Sequence, residues 1–309
     1  MSRFLGVYVQ PKLTGLTIPM TPSIYIFGEV LIDRFEDGSK ILGGAPFNVA
    51  WHLQGLGFTP ILISRIGQDD SGTRIRRAMR NWKMVETELQ TDAEHATGTV
   101  AVNLINGEPS YAILEQQAYD YIDINQVPVL TANSVLYHGT LAARHSVSNR
   151  TLQSLRLKHQ GPRFIDVNLR TPWLNKSQVL KWIYRAEWVK LNEAELWALQ
   201  DSPTTLEQAM RQFKRQHEIP RMIVTKGELG SWALDENDEL FKTTPKHNVK
   251  VIDTVGAGDA FAAGCIAGLV KDWSMTQIME YSQQLASALV GVRGATIDQH
   301  EFYQQFAVN

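Results

Sequence analysis

Near the end of the chain, Gly256-Ala257-Gly258-Asp259 has the residue types and spacing to handle an anion. Glycines let the backbone turn tightly and aim successive N–H groups at one spot. The small apolar residues that follow, to Val270, read as a helix. Its first unpaired N–H groups and positive dipole end would face the same spot. Such a turn suits phosphate. Asp259 falls in the first helical turn, and a carboxylate a few ångströms from a terminal phosphate can take the proton of an attacking hydroxyl. Plainer readings fit the same residues: Asp259 stabilising a helix N-terminus, with Gly264 and Gly268 permitting close helix packing. A dinucleotide fingerprint needs glycine or alanine where this chain has Phe261, and the turn comes very late for one. Neither G-x-x-x-x-G-K-S/T nor H-R-D occurs, so P-loop and protein-kinase mechanisms have no support.

The elements that must position this turn alternate between strand and helix. Residues 1–22 carry three prolines without clear periodicity and read as an arm ahead of the fold proper, residues 23–309. Ser23 to Val30 reads as a strand, and Ala45 to Gly57 as a helix with proline in its first turn and glycine at its end. Pro60 to Gly67 is a strand and Ser71 to Trp82 a helix. Short buried strands follow at Ser134–Tyr137, Arg163–Val167, Trp188–Leu191 and Met222–Val224, and Val249–Ile252 should lead into the turn. This rhythm predicts an α/β fold, a doubly wound and mostly parallel sheet covered on both faces. Thr97 to Leu114 breaks it with two strand-like runs around Asn106-Gly107, a hairpin signal. That hairpin must lie at the sheet edge or leave the body as a small β lid.

Two motifs resemble one known family. Asp253-Thr254-Val255-Gly256-Ala257-Gly258-Asp259-Ala260-Phe261 resembles the C-terminal motif of the PfkB, or ribokinase-like, carbohydrate kinases. Gly43-Gly44-Ala45-Pro46-Phe47-Asn48-Val49-Ala50 resembles the family's diglycine motif in its fructokinase form. The resemblance covers about residues 23–300 and implies a doubly wound body with a small β lid, here residues 31–42 and 97–115. It makes Asp259 the catalytic base and Gly256, Ala257 and Gly258 the anion hole. It also places Asp33, Gly43, Gly44 and Asn48 on the sugar. By residue type alone, Asp33 could accept from two hydroxyls or be a solvated loop aspartate. Asn48 has an amide that both donates and accepts, and it could equally be an ordinary early-helix residue.

Asp166-Val167-Asn168-Leu169-Arg170 resembles the family's D-x-N-x-R element, and Arg170 would meet a phosphate or a substrate acid group or else lie on the surface. Asn192 and Glu195 have the spacing of a helix capping box. The resemblance adds a second role, with Asn192 near the nucleotide and Glu195 near magnesium through water. Thr225 and Gly227 match a nucleotide-site T-x-G, and Gln283 stands where the family often contacts adenine. Asp253 with residues 288–294 would form a monovalent-cation (potassium) loop, with backbone carbonyls as the only ligands available at Val255. The implied activity is ATP-dependent phosphorylation of a sugar hydroxyl, first of all fructose. 2-Keto-3-deoxygluconate, ribose and aminoimidazole riboside are the alternatives within the family, and Leu31 argues against ribose. A catalytically silent binding relative and a dinucleotide-dependent oxidoreductase are the readings from other classes.

Composition narrows the partners. Lys+Arg 30 against Asp+Glu 32 gives a net charge of −2, which offers no reason to expect nucleic acid or an anionic membrane surface. No apolar run approaches the roughly 18–20 residues of a membrane span, and the N-terminus makes a poor signal peptide. The single cysteine, Cys265, excludes an internal disulfide framework and fits the cytoplasm. Eight histidines show no metal spacing. Sugar and ATP are the expected small-molecule partners, and exposed edges of the lid predict a homodimer.

Overall fold

A computed structural model describes residues 22–105, 108–170, 173, 176–200, 205–245 and 250–308. The expected arm up to residue 21 and the Asn106-Gly107 turn lie outside the described residues. Thirteen strands appear among the described residues: β1 (Ser23–Phe27), β2 (Leu31–Phe35), β3 (Lys40–Gly43), β4 (Pro60–Gly67), β5 (Leu89–Asp92), β6 (Gly98–Ile105), β7 (Glu108–Ile113), β8 (Ser134–His138), β9 (Arg163–Asp166), β10 (Trp188–Asn192), β11 (Arg221–Thr225), β12 (Ser231–Leu234) and β13 (Leu240–Thr243). Nine of them form one sheet in the order β13-β12-β11-β10-β9-β8-β1-β4-β5. The run from β5 to β11 is parallel, and the β12–β13 hairpin closes one edge antiparallel. Strand order reverses between β1 and β8, and in such sheets the crevice beyond the strands' C-terminal ends at that point takes the ligand.

The period-two pattern of β1 decides the two faces. Ile24 and Ile26 pack with α1 (Ala45–Gly55), α2 (Asp70–Asn81), α7 (Ala257–Val270) and α8 (Met275–Leu289). Tyr25 and Phe27 pack with α3 (Ser146–Lys158), α4 (Lys176–Ile183), α5 (Glu193–Leu199) and α6 (Leu206–Gln216). Each fully buried side chain of this size contributes about 1.5–3 kcal/mol. The last helix, α9 (His300–Gln304), brings the Tyr303 hydroxyl within 2.9 Å of His52 Nδ1. Close helix packing is also what Gly264 and Gly268 provide. A methyl group at either would lie 2.8 Å from Ser282 or 2.6 Å from Ile278 of α8.

The hairpin β6–β7 does not join the edge of the main sheet. It pairs through β6 with β2 in a second sheet, β3-β2-β6-β7. Asp33 is therefore not on a loop after the first strand but in the middle of β2, half-buried beside the buried Leu31 and Ile32. β3 then runs into α1 through Gly44, the helix N-cap, whose φ is 105°. A methyl group there would lie 2.6 Å from the Glu29 carbonyl oxygen, so only glycine lets the chain pass.

Candidate active site

The approach to the anion turn is not a strand. Lys250 to Ile252 are irregular, with Val251 63% and Ile252 58% exposed, while the start of the expected Val249–Ile252 strand lies outside the described residues. The N–H groups of Ile252 and Asp253 donate to the Val290 carbonyl at 2.8 and 3.3 Å. The Asp253 carboxylate accepts from the N–H groups of Val255 and Gly294, both at 3.0 Å. The segment is thus lashed to the loop after α8 rather than to the sheet. Gly256 then adopts a left-handed conformation (φ 80°, ψ −4°) and α7 begins at Ala257 with no side-chain cap; the Ala257 N–H makes a long bond of 3.3 Å to the Thr254 carbonyl, and the start of the helix is where an anion would be favoured.

A methyl group on Gly256 would lie 2.6 Å from Ala295 Cβ and 2.8 Å from Ala295 Cα. Gly256→Ala combines that clash with a backbone conformation costing about 1–2 kcal/mol for a side-chain-bearing residue. It is expected to lower stability in urea denaturation by about 1–3 kcal/mol and to weaken ATP binding. Unchanged ATP affinity would separate the turn from the nucleotide.

Asp259 of α7 meets Asn48 of α1, whose Nδ2–H donates to Asp259 Oδ2 at 2.8 Å. Asn48 Oδ1 is buried and has no partner among the described residues, so it stands ready to accept from a ligand hydroxyl. Asp259 keeps some contact with solvent, but protein crowds it on its other sides. That desolvation pushes its pKa up to about 7; the Asn48 bond and the charges of Lys190 and Arg170 pull it down, and Asp166 pushes it up. Burial likewise pushes Asp33 up to about 6, against the pull of Arg170. Asp33 Oδ2 hangs over Gly43, where a methyl group would lie 2.7 Å away. Arg170 is exposed, and its charge reaches Glu29, Asp33 and Asp259 together.

On the other side of the turn, a cavity of about 370 Å³ brings Thr225, Gly227 and Gln283 together with Gly258 and Phe261. Thr225 ends β11, directly opposite Asn192 at the end of β10. Gln283 lines the cavity with its amide held in place: Oε1 accepts from Ser231 and Nε2 donates to Ser287, both at 3.3 Å. Asn192 and Glu195 realise the capping box, with Asn192 Oδ1 accepting from the Glu195 N–H and Glu195 Oε2 from the Asn192 N–H, both at 2.8 Å. Glu195 Oε1 also accepts from the Leu169 N–H at 2.7 Å, which binds the loop after β9 to α5.

The residue reading missed the group beneath the turn. Lys190 Nζ lies 2.8 and 2.9 Å from the two Asp166 oxygens, with both side chains buried. A methyl group on Gly258 would lie 3.6 Å from that ammonium. Burial works against the charge of Lys190, but Asp166 outweighs it and raises the pKa. The available signal was a lysine inside the apolar run Trp188 to Leu191. Glu29, 3% exposed beside the same crevice, was missed too; burial raises its pKa, and its Oε2 has no partner among the described residues.

The profile of the pfkB family carbohydrate kinases matches residues 15–301. The chain belongs to that family. The kinase is 27% identical over 301 residues to the fructokinase of Escherichia coli, covering 89% of this chain and 95% of that one. It superposes on the apo fructokinase of Vibrio cholerae O395 with a TM-score of 0.76 at 25% identity, covering 87% of this chain and 97% of that one. Its fold also matches aminoimidazole riboside kinase from Salmonella enterica, solved with aminoimidazole riboside and an ATP analogue (TM-score 0.78, 22% identity, 91% and 99% coverage). The kinase has the ribokinase-like fold and acts as an ATP-dependent carbohydrate kinase of the fructokinase-like branch. The oxidoreductase and silent-relative readings give way to it. Among the described residues no helix is long and apolar enough to cross a membrane.

Proposed function

We propose that the kinase transfers the γ-phosphoryl group of ATP to a hydroxyl of fructose, with Asp259 as base. The observation that carries this reading is the Asn48–Asp259 hydrogen bond of 2.8 Å, which joins the helix after the diglycine pair to the anion turn. Asp33, Gly43, Gly44 and Asn48 hold the sugar so that one hydroxyl lies against Asp259, and Arg170 neutralises charge between the two carboxylates. As the hydroxyl oxygen bonds to the γ-phosphorus, its proton passes to Asp259 and the bond to the β-phosphate oxygen breaks, releasing ADP. The N–H groups of Gly256, Ala257 and Gly258 stabilise charge on the group in transit. A pKa near the working pH suits Asp259 to this step.

The remaining nucleotide occupies the cavity of Thr225, Gly227 and Gln283, with Asn192, which pairs opposite Thr225, towards its phosphates. Among the described residues no group of three or more His, Cys, Asp or Glu side chains could hold a metal ion. That fits a magnesium ion carried chiefly by ATP and water, neutralising phosphate charge, with Glu195 reaching it through water. Asp253, which ties the turn to the 290–294 loop, marks the place for a potassium ion among backbone carbonyls. The second sheet acts as the lid, excluding water and so suppressing ATP hydrolysis. Its edge strands, β3 and β7, offer the pairing surface of a cytoplasmic homodimer.

Fructose is favoured over ribose by Leu31, which is 4% exposed and offers no polar contact, and by the fructokinase relatives. A panel of fructose, 2-keto-3-deoxygluconate, ribose and aminoimidazole riboside with coupled ADP detection tests the choice. The highest kcat/KM is expected with fructose; strong activity on ketodeoxygluconate with none on fructose would overturn the sugar but keep the chemistry.

A further inference from the structure

At the far end of the main sheet lies a second recess, of about 440 Å³, between α3 and α4. This volume falls in the range of small-molecule sites, about 300–1,000 Å³. Its walls include Arg156, Arg163, Lys181 and Trp182, with the amides of Asn149 and Gln153 beside them. Arg163 opens β9 and Asp166 closes it, so the recess and the anion turn sit at opposite ends of a short strand, about 10 Å of rise apart.

The cations in this recess are not equivalent. Arg163 is spent: its guanidinium binds the Glu187 carboxylate at 3.0 Å and donates to the Arg185 carbonyl. Arg156 has no hydrogen bond or ion pair among the described residues and only rests on the Trp182 ring, 4.9 Å from its centroid. The residue is half-buried, and desolvation reinforced by Arg163 pulls its pKa down to about 10, Glu187 only partly offsetting this. The same two arginines, added to burial, help keep the fully buried His138 neutral, with its pKa pushed down to about 3. Lys181, exposed at the rim, adds a further positive charge. A partly desolvated guanidinium without a protein partner favours an anion that completes it. Its planar fork matches phosphate oxygens two at a time. The neighbouring amides are already ordered, Gln153 Nε2 donating to Asn149 Oδ1 at 2.6 Å and Asn149 Nδ2 to the Ala143 carbonyl at 2.8 Å.

We propose that this recess is a binding site for a phosphomonoester of about sugar-phosphate size, gripped by Arg156. The site is separate from the crevice where transfer takes place, and its ligand is of the chemical class that a sugar kinase produces.

Crystals soaked in tungstate and read by anomalous scattering test the site directly. Density is expected in the recess within hydrogen-bonding reach of Arg156, as well as at the Gly256–Gly258 turn. Density at the turn alone would overturn the proposal without touching the kinase reading. Calorimetric titration with glucose 6-phosphate and with inorganic phosphate, both under saturating ADP, then separates the sources. Glucose 6-phosphate is expected to bind more tightly, and Arg156→Gln to weaken it by roughly tenfold or more, with sugar-dependent ATP turnover unchanged in the absence of added anion. Equal titration of wild type and R156Q would overturn the site, and equal affinity for the two probes would overturn the ester. Arg156→Lys, which keeps the charge and loses the fork, is expected to retain only weak binding.

Discussion

Asp259→Asn is expected to lower sugar-dependent ATP turnover by ~10²–10⁴-fold while leaving ATP affinity in place. The substitution keeps the shape and the acceptor for Asn48 Nδ2 but can no longer take a proton. Wild-type kcat/KM should fall about tenfold per pH unit below about 7, where Asp259 gains its proton, and level off above it. Stability should run the other way. The folded protein holds the Asp259 proton more tightly than the unfolded chain, whose aspartates ionise near the ordinary value of 3.8. The unfolded state therefore binds fewer protons between these values, and folding loses stability as pH rises through that window. D259N carries no such charge. It should melt above the wild type at pH 8 by scanning calorimetry, with the gap closing towards pH 4. Near-normal turnover in this variant would remove Asp259 from the chemistry.

Lys190→Met is expected to be the most damaging single change to the fold. It leaves the Asp166 carboxyl without its counter-charge in a site where both partners are at most 6% exposed. Breaking a buried pair from one side costs about 3–5 kcal/mol. The same change removes a positive charge that holds Asp259 down, so the residual activity should shift its pH midpoint upward. Lys190→Met with Asp166→Leu should recover most of the lost stability, because two apolar groups need no counter-charge. A double-mutant cycle in urea reads this coupling. Equal losses in the single and double variants would mean that the pair is worth no more than its packing.

Most of the frame was legible because it rests on periodicity. The alternation in Ser23–Phe27 sorts its side chains to two faces, and the Asn192–Glu195 spacing forms the capping box it predicts. Two readings failed for a shared physical reason: residues that serve a crevice do not follow the core's pattern. Val251 and Ile252 look like strand residues but stay exposed, and Val251 lines the cavity beside the turn. Asp33 looks like loop polarity but belongs to a strand, half-buried two residues after the buried Leu31. The Lys190–Asp166 pair was hidden because its members lie 24 residues apart and meet only when β9 and β10 align. No local pattern records that meeting.

Between the last residue of β3 and the first of α1 stands a single residue, Gly44, wedged under the Glu29 carbonyl. There is no slack in that joint. On the proposed reading, any rocking of the small sheet over an arriving sugar would be levered straight into α1, and so into the hydrogen bond from Asn48 to Asp259. Capture of the acceptor and alignment of the proposed base would then be one mechanical event, and a longer or looser joint would uncouple them.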